Sequence, residues 1–220
     1  MRKDALAVEN YYHIFGRSIA GYRIFEESDC CERFVQMLNM YRFANFSYKY
    51  SDFARLSQVN KQALVNQLSD SDQKLVQIVA FCLMPTHFHL ILRSLVDGGI
   101  TKFMRKLLDS YTRYFNLLHH RKGPLWESHF KNILIGNDEF LLHLTRYIHL
   151  NPISLGLVGK PEDWPYSSYL EYISDKEGFC EFSDLFNFTP HEYQKFVEDC
   201  KEYQKQISII KNILIEDYTG

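Results

Sequence analysis

The stretch VQIVAFCLMPTHFHLILR, residues 76–93, decides the fold. Val76 to Leu83 and His87 to Arg93 are rich in β-formers, and Met84-Pro85-Thr86 between them is short enough for a hairpin. Side chains alternate along a strand, so His87 and His89 share one face while Phe88, Leu90 and Leu92 take the other. On this reading the apolar set faces the core. The imidazoles stand on the opposite side, about 7 Å apart at their α-carbons. That spacing lets both converge on one metal ion, but a surface or half-buried pair has the same sequence signature.

Upstream, YYHIFG (11–16) reads as a first strand. Asp29 is placed to cap a helix running to about Phe43, and the polar stretch 45–74 reads as a helical excursion with Ser57 and Ser69 as caps. Downstream, Asp97-Gly98-Gly99 breaks the chain before a long helix. Its stripe runs from Ile100 through Phe103, Leu107 and Tyr111 to Leu118. Phe130 to Ile135 reads as another strand. Asn137 then caps a helix that opens with Asp138 and Glu139 and is expected to stop near Pro152, where Asn151 would cap a short helix that follows. The order is β-α-β-β-α-β followed by a helix. It predicts an α+β, ferredoxin-like (split βαβ) antiparallel sheet with packed helices. The predicted domain covers 1–173, and residues 174–220 read as an acidic helical tail.

Composition supports one folded unit. The 220 residues are 46% hydrophobic and only 16 are Gly or Pro, which excludes disordered and fibrous classes. No apolar run approaches the roughly 18 residues of a membrane span, and MRKDALAVEN lacks a signal-peptide h-region. Five cysteines, two of them adjacent and none in C-x-x-C spacing, read as reduced thiols. The expectation is a cytoplasmic protein with no membrane partner. Net charge is −2, but residues 102–131 carry a local +5 and residues 171–220 a local −6. A polyanion would therefore meet the middle of the chain.

Three groups of residues could carry chemistry. The first is the His87/His89 pair. The second is Tyr147, at the edge of the stripe formed by Leu141, Leu144 and Ile148, with polar His143 and Asn151 one turn away on either side. An interfacial tyrosine with a bonded hydroxyl fits the same pattern, and Asn151 is divided between capping and metal binding. The third is the basic, aromatic stretch. Arg105, Lys106, Arg113, Arg121, Lys122 and Lys131, with His129 beside them, could meet phosphates, and Trp126 could stack an unpaired base. A solvated helix face with a buried Trp126 is the alternative. No Walker, dinucleotide-glycine or G-x-S-x-G motif is present, which removes the commonest NTPase and hydrolase classes.

Four stretches in order resemble one family, the single-tyrosine HUH transposases of the insertion-sequence and REP-associated types. CLMPTHFHLIL (82–92) resembles the metal-binding strand of that family. YTRYFN (111–116) and GPLWESHFK (123–131) resemble the helix and loop that follow, YIHLNPISLGLV (147–158) the catalytic helix, and DWPYSSYLEY (163–172) the closing segment. The resemblance spans roughly 11–44 and 75–173. It implies His87 and His89 as metal ligands, Asn151 as a third, and Tyr147 as the nucleophile. The implied activity is cleavage and rejoining of single-stranded DNA near hairpins through a 5′-phosphotyrosine, with Mg²⁺ or Mn²⁺ as cofactor. Thr86, Phe88 and His129 depart from the usual Asn, small aliphatic residue and Arg. The rival expectation is a domesticated, non-catalytic binder of DNA or RNA hairpins; a hydrolase with a water nucleophile is a third. Homodimer and monomer are both compatible with the sequence.

Overall fold

The computed structural model describes residues 5–71, 73–174 and 178–199. Four strands form one sheet: Tyr11–Arg17 (β1), Val76–Met84 (β2), His87–Ser94 (β3) and Lys131–Ile135 (β4). Their order is β2-β3-β1-β4 and every pairing is antiparallel. This is the expected ferredoxin-like plan, with the hairpin partner β3 lying between β2 and β1. Among the described residues there are seven α-helices: Ser28–Tyr41 (α1), Tyr50–Ala54 (α2), Gln58–Ser71 (α3), Gly99–Leu118 (α4), Asp138–Ser154 (α5), Tyr169–Ile173 (α6) and Pro190–Glu198 (α7). None is long and apolar enough to cross a membrane.

Both faces of the sheet are covered, so the side that carries the histidines is itself a core face. On one face α1 and α4 bury Phe34, Phe103 and Tyr111 against Phe88, Leu90 and Leu92 of β3. On the other, α5 lays Leu141, Leu144 and Ile148 over Ile91 and Ile133. The reason is visible in the helix itself. An apolar stripe needs a surface to bury, and Ile91 of β3 with Ile133 of β4 offers one between the histidines and Arg93. A bulge at Val79 puts Val79 and Ala80 together on the α5 face, and the Tyr172 hydroxyl donates to the Val79 carbonyl at 2.8 Å.

The outer edge of β2 is closed by the segment after α5. Leu83 N–H donates to the Tyr166 carbonyl (2.9 Å), Ser168 N–H to Phe81 (3.0 Å) and Glu181 N–H to Ile78 (2.8 Å). These bonds occupy groups that a bare edge strand would expose to another chain. Residues 178–199 continue over the α5 face, where Tyr193 and Val197 of α7 are fully buried. The rest of the predicted tail, 175–177 and 200–220, lies outside the described residues. The 45–74 excursion contributes buried Phe46, Tyr50 and Phe53 to the α1–α4 core.

Two local expectations need correction. The first concerns α5. Asn137 caps it as predicted, accepting from Phe140 N–H at 2.7 Å, but the helix runs through Pro152 to Ser154. Pro152 lies in the last turn, so its ring removes only a late helical bond, and its burial helps hold the turn. Asn151 is therefore a helical residue rather than a cap. The second concerns Asp29, which lies in the first turn of α1, with Glu27 at the N-cap position.

His149 ties α5 to the closing segment. Its Nδ1 bonds the Tyr193 hydroxyl at 2.7 Å and its Nε2 bonds Ser168 Oγ at 2.8 Å. Burial holds this imidazole neutral, pushed down to about 3 from 6.5. Below about pH 6.5 the unfolded chain takes up a proton that the folded chain refuses. This contribution to stability is thus complete above that pH and is lost as pH falls toward about 3.

Two variants test the packing. A Cβ on Gly16 would sit 2.9 Å from the buried Phe88 ring. Gly16→Ala should cost about 1–3 kcal/mol in urea unfolding, and Phe88→Leu in the same chain should recover part of the loss. His149→Gln should lower stability at neutral pH by about 1–3 kcal/mol and flatten its decline between pH 6.5 and 4. An unchanged pH slope would remove His149 from the acid response.

Candidate active site

The register of β3, β1 and β4 assembles the site. Residues directly opposed across antiparallel strands point to the same face. Arg17 of β1 opposes His87, Phe15 stands between His89 and Lys131, and His13 stands between Ile91 and Ile133. All of these lie on the face covered by α5.

The two predicted histidines meet at nearly right angles, ring centroids 5.0 Å apart. His89 is almost fully buried, and His87 is partly exposed. In each ring Nδ1 already has a neighbour: Thr86 Oγ1 at 3.1 Å for His87, and His13 Nε2 at 2.9 Å for His89. Burial pushes the pKa of His87 down to about 4, helped by the Arg17 cation, and that of His89 well below 6.5. Both rings are neutral at physiological pH. A neutral imidazole has one lone pair, and a ring whose Nδ1 donates to its neighbour has that lone pair on Nε2.

Helix α5 brings the other two residues across the sheet. The Tyr147 ring stands edge-on to His89, centroids 6.0 Å apart at 77°. Tyr147 is half-buried, between the sheet and solvent. Asn151 follows one turn later on the same side of α5, because the helix continues past it. Its Nδ2 is buried and makes no hydrogen bond. A buried amide N–H without an acceptor is costly, which suits a position that donates to a ligand oxygen such as that of a phosphate. Two tyrosines of α4 lie on the opposite face of the sheet. Tyr111 is wholly buried and donates to the Ile24 carbonyl, and Tyr114 packs beneath the Arg33 guanidinium.

The basic stretch divides between the two faces. Lys131 shares the row of His89, whereas α4 lies against the opposite face and carries Arg105 and Arg113 on its exposed side. Lys122 and His129 are exposed in the loop that follows. Three residues of the stretch have structural contacts. The Lys106 ammonium donates to the Phe46 carbonyl and lies over the Tyr41 ring, and Arg121 bonds Asn116 and covers Tyr22. Trp126 packs against Phe34 and Phe88 and donates its indole N–H to Thr112 at 3.0 Å.

His13 and Arg17 were not picked out from the sequence. Their signal is the alternation Tyr11, His13, Phe15, Arg17, legible only once β1 is paired with β3. Among the described residues one cluster of three metal-type donors also occurs: Glu27, Cys30 and His119, within 4.8 Å of one another. It joins the start of α1 to the end of α4, on the face opposite to His87 and His89.

Comparison with known proteins gives a consistent picture. The family model described as "Transposase IS200 like" matches residues 46–151. A putative REP-associated tyrosine transposase of Haemophilus influenzae (strain ATCC 51907 / DSM 11121 / KW20 / Rd) is 30% identical over 103 residues, 42% of this chain and 58% of that protein. A REP-associated tyrosine transposase of Escherichia coli (strain K12) is 27% identical over 95 residues, 42% of this chain and 54% of that protein. The chain thus spans little more than half the length of these relatives. A solved REP-associated tyrosine transposase, bound to a REP hairpin, superposes with a TM-score of 0.54 at 16% identity. That likeness, over 86% of this chain and 95% of the other, is one of fold. Fold, family model and relatives agree in one likeness: residues 46–151 match the model of IS200-like transposases, and both relatives are described as REP-associated tyrosine transposases.

Proposed function

We propose that this chain nicks and rejoins single-stranded DNA beside a hairpin, with Tyr147 as the attacking group. The observation that carries the reading is the meeting of Tyr147 with His89 and His87 across the α5–sheet interface. It brings a phenol, two neutral imidazoles and an amide to one half-open face. The hairpin comes from the structural neighbour, which was solved bound to a REP hairpin.

The residues present fit a divalent cation. His87 and His89 would hold it through Nε2 and Asn151 through its amide oxygen, leaving positions for phosphate oxygens. Such a mixed nitrogen–oxygen set accepts Mn²⁺ at least as readily as Mg²⁺. When bound, the ion draws charge from the scissile phosphate. Tyr147 forms the new O–P bond as the bond from phosphorus to the 3′ oxygen breaks. The phenolic proton passes to solvent, and the leaving oxygen takes one up to become a free 3′-OH. The DNA 5′ end stays on Tyr147, so bond energy is kept and the reverse attack reseals without a nucleotide cofactor. His87 and His89 are neutral and hold lone pairs, not protons, toward the site. Arg17 and Lys131 supply positive charge on the same face for the flanking phosphates.

Exposed Arg105 and Arg113 lie on the far side of the sheet, so a hairpin held there would reach Tyr147 around the sheet end. A non-catalytic hairpin binder would use the cations and need neither histidine nor Tyr147.

Denaturing gels with a labelled single-stranded oligonucleotide and Mn²⁺ separate these readings. Wild-type protein should give a covalent band, and Tyr147→Phe should reduce it to background. Loss of that hydroxyl should change stability by about 1 kcal/mol. A band surviving in Tyr147→Phe, or none in wild type despite hairpin binding, overturns the enzyme reading. His87→Ala should abolish the adduct while hairpin affinity, measured by fluorescence anisotropy, changes by less than about threefold, because phosphate and base contacts lie elsewhere. Full cleavage by His87→Ala in EDTA would remove the metal from the site.

A further inference from the structure

We propose that His13 is a positioning residue: by accepting the Nδ1 proton of His89 it fixes the tautomer of that ring and leaves His89 Nε2 as the metal-binding atom. The inference rests on the metal site proposed above and adds a residue that none of the matched motifs contains.

The argument starts from the bond itself. His13 Nε2 and His89 Nδ1 lie 2.9 Å apart, with the two rings stacked at 18°. A hydrogen bond between two ring nitrogens needs one proton and one lone pair. If His13 donates, His89 carries its own proton on Nε2 and has no lone pair to offer the site. If His89 donates, the opposite holds, and His13 is left with its proton on Nδ1. Only the second arrangement makes His89 a ligand. Both rings then hold the tautomer that a free histidine side chain disfavours, so their fixed contact has to outweigh that preference.

The surroundings give His13 that role. It is 1% exposed at the centre of β1, fixed by strands on both sides, and its ring packs on Phe15. The ring therefore cannot turn away without opening the core. Its partner is equally constrained, since His89 is 4% exposed and is held between His13, His87 and Tyr147. Thr86 offers His87 the same kind of partner at Nδ1. The two ligating rings are thus steered by one neighbour on an adjacent strand and one in the hairpin turn.

The full chain labelled with ¹⁵N at histidine, without metal, reads the tautomer directly. Wild-type His89 should show a protonated Nδ1 and an unprotonated Nε2; the reverse pattern overturns the proposal. His13→Gln keeps an acceptor and should preserve the wild-type pattern, whereas His13→Phe should shift His89 toward Nε2–H. Titration with Mn²⁺ alone, followed by electron paramagnetic resonance, should show affinity falling about 10–100-fold in His13→Phe and recovering to within a few-fold in His13→Gln. If His13→Phe fails to fold, the wild-type and His13→Gln spectra still decide. Equal Mn²⁺ affinity in folded His13→Phe would overturn the proposal. Wild-type protein with His89 protonated at Nδ1 but no affinity for Mn²⁺ would support the tautomer assignment and overturn the metal reading of the site.

Discussion

The antiparallel pairing of β1 with β3 is the constraint on which the rest depends. It is the central contact of the sheet, and its register decides which residues share a face. With Phe15 opposite His89, the odd-numbered residues of both strands point toward α5 and the even-numbered ones toward α1 and α4. A slip of one residue would exchange those sets and turn both histidines into the aromatic core beneath Phe34 and Tyr111. The tight fit of Gly16 under the Phe88 ring opposes such a slip, because no other residue of β1 leaves that space.

Much of this architecture was legible because it follows from short-range periodicity. The hairpin of residues 76–93, the stripe of α4 and the cap at Asn137 are local signals, and each produced the element expected. The closeness of Tyr147 to His89 was not local. It depends on α5 covering a sheet face that the apolar pattern of β3 alone left open. The same limit explains His13 and Arg17. A histidine and an arginine in a seven-residue strand mean little until the pairing shows what stands opposite. Pro152 misled for another reason: the general preference against helix before proline was outweighed by a buried last turn.

The basic stretch shows how charge read along a chain differs from charge arranged in space. Seven cations between 102 and 131 form one run in sequence, yet Lys106 and Arg121 are spent on carbonyl, amide and aromatic partners inside the fold. What remains exposed is distributed over two sides of the sheet. Trp126 fills the α1–α4 core with its ring and satisfies its N–H on Thr112, so large aromatic area near basic residues is here a packing feature.

The closing segment carries an implication for where the functional unit ends. His149 lies two residues from Tyr147, and its ring is held by Ser168 and Tyr193; Ser168 in turn bonds the backbone of β2. Helix α5, which carries Tyr147, is therefore anchored by residues well beyond the stretch that the family model matches. A fragment cut to 46–151 would lose this anchor at one end. At the other it would lose β1, leaving β3 and β4 on either side of a missing middle strand. The stretch that is easiest to recognise is thus not one that can be inherited, exchanged or expressed alone. Any recombination that moves this fold between proteins has to carry the first strand and the closing aromatic segment with it.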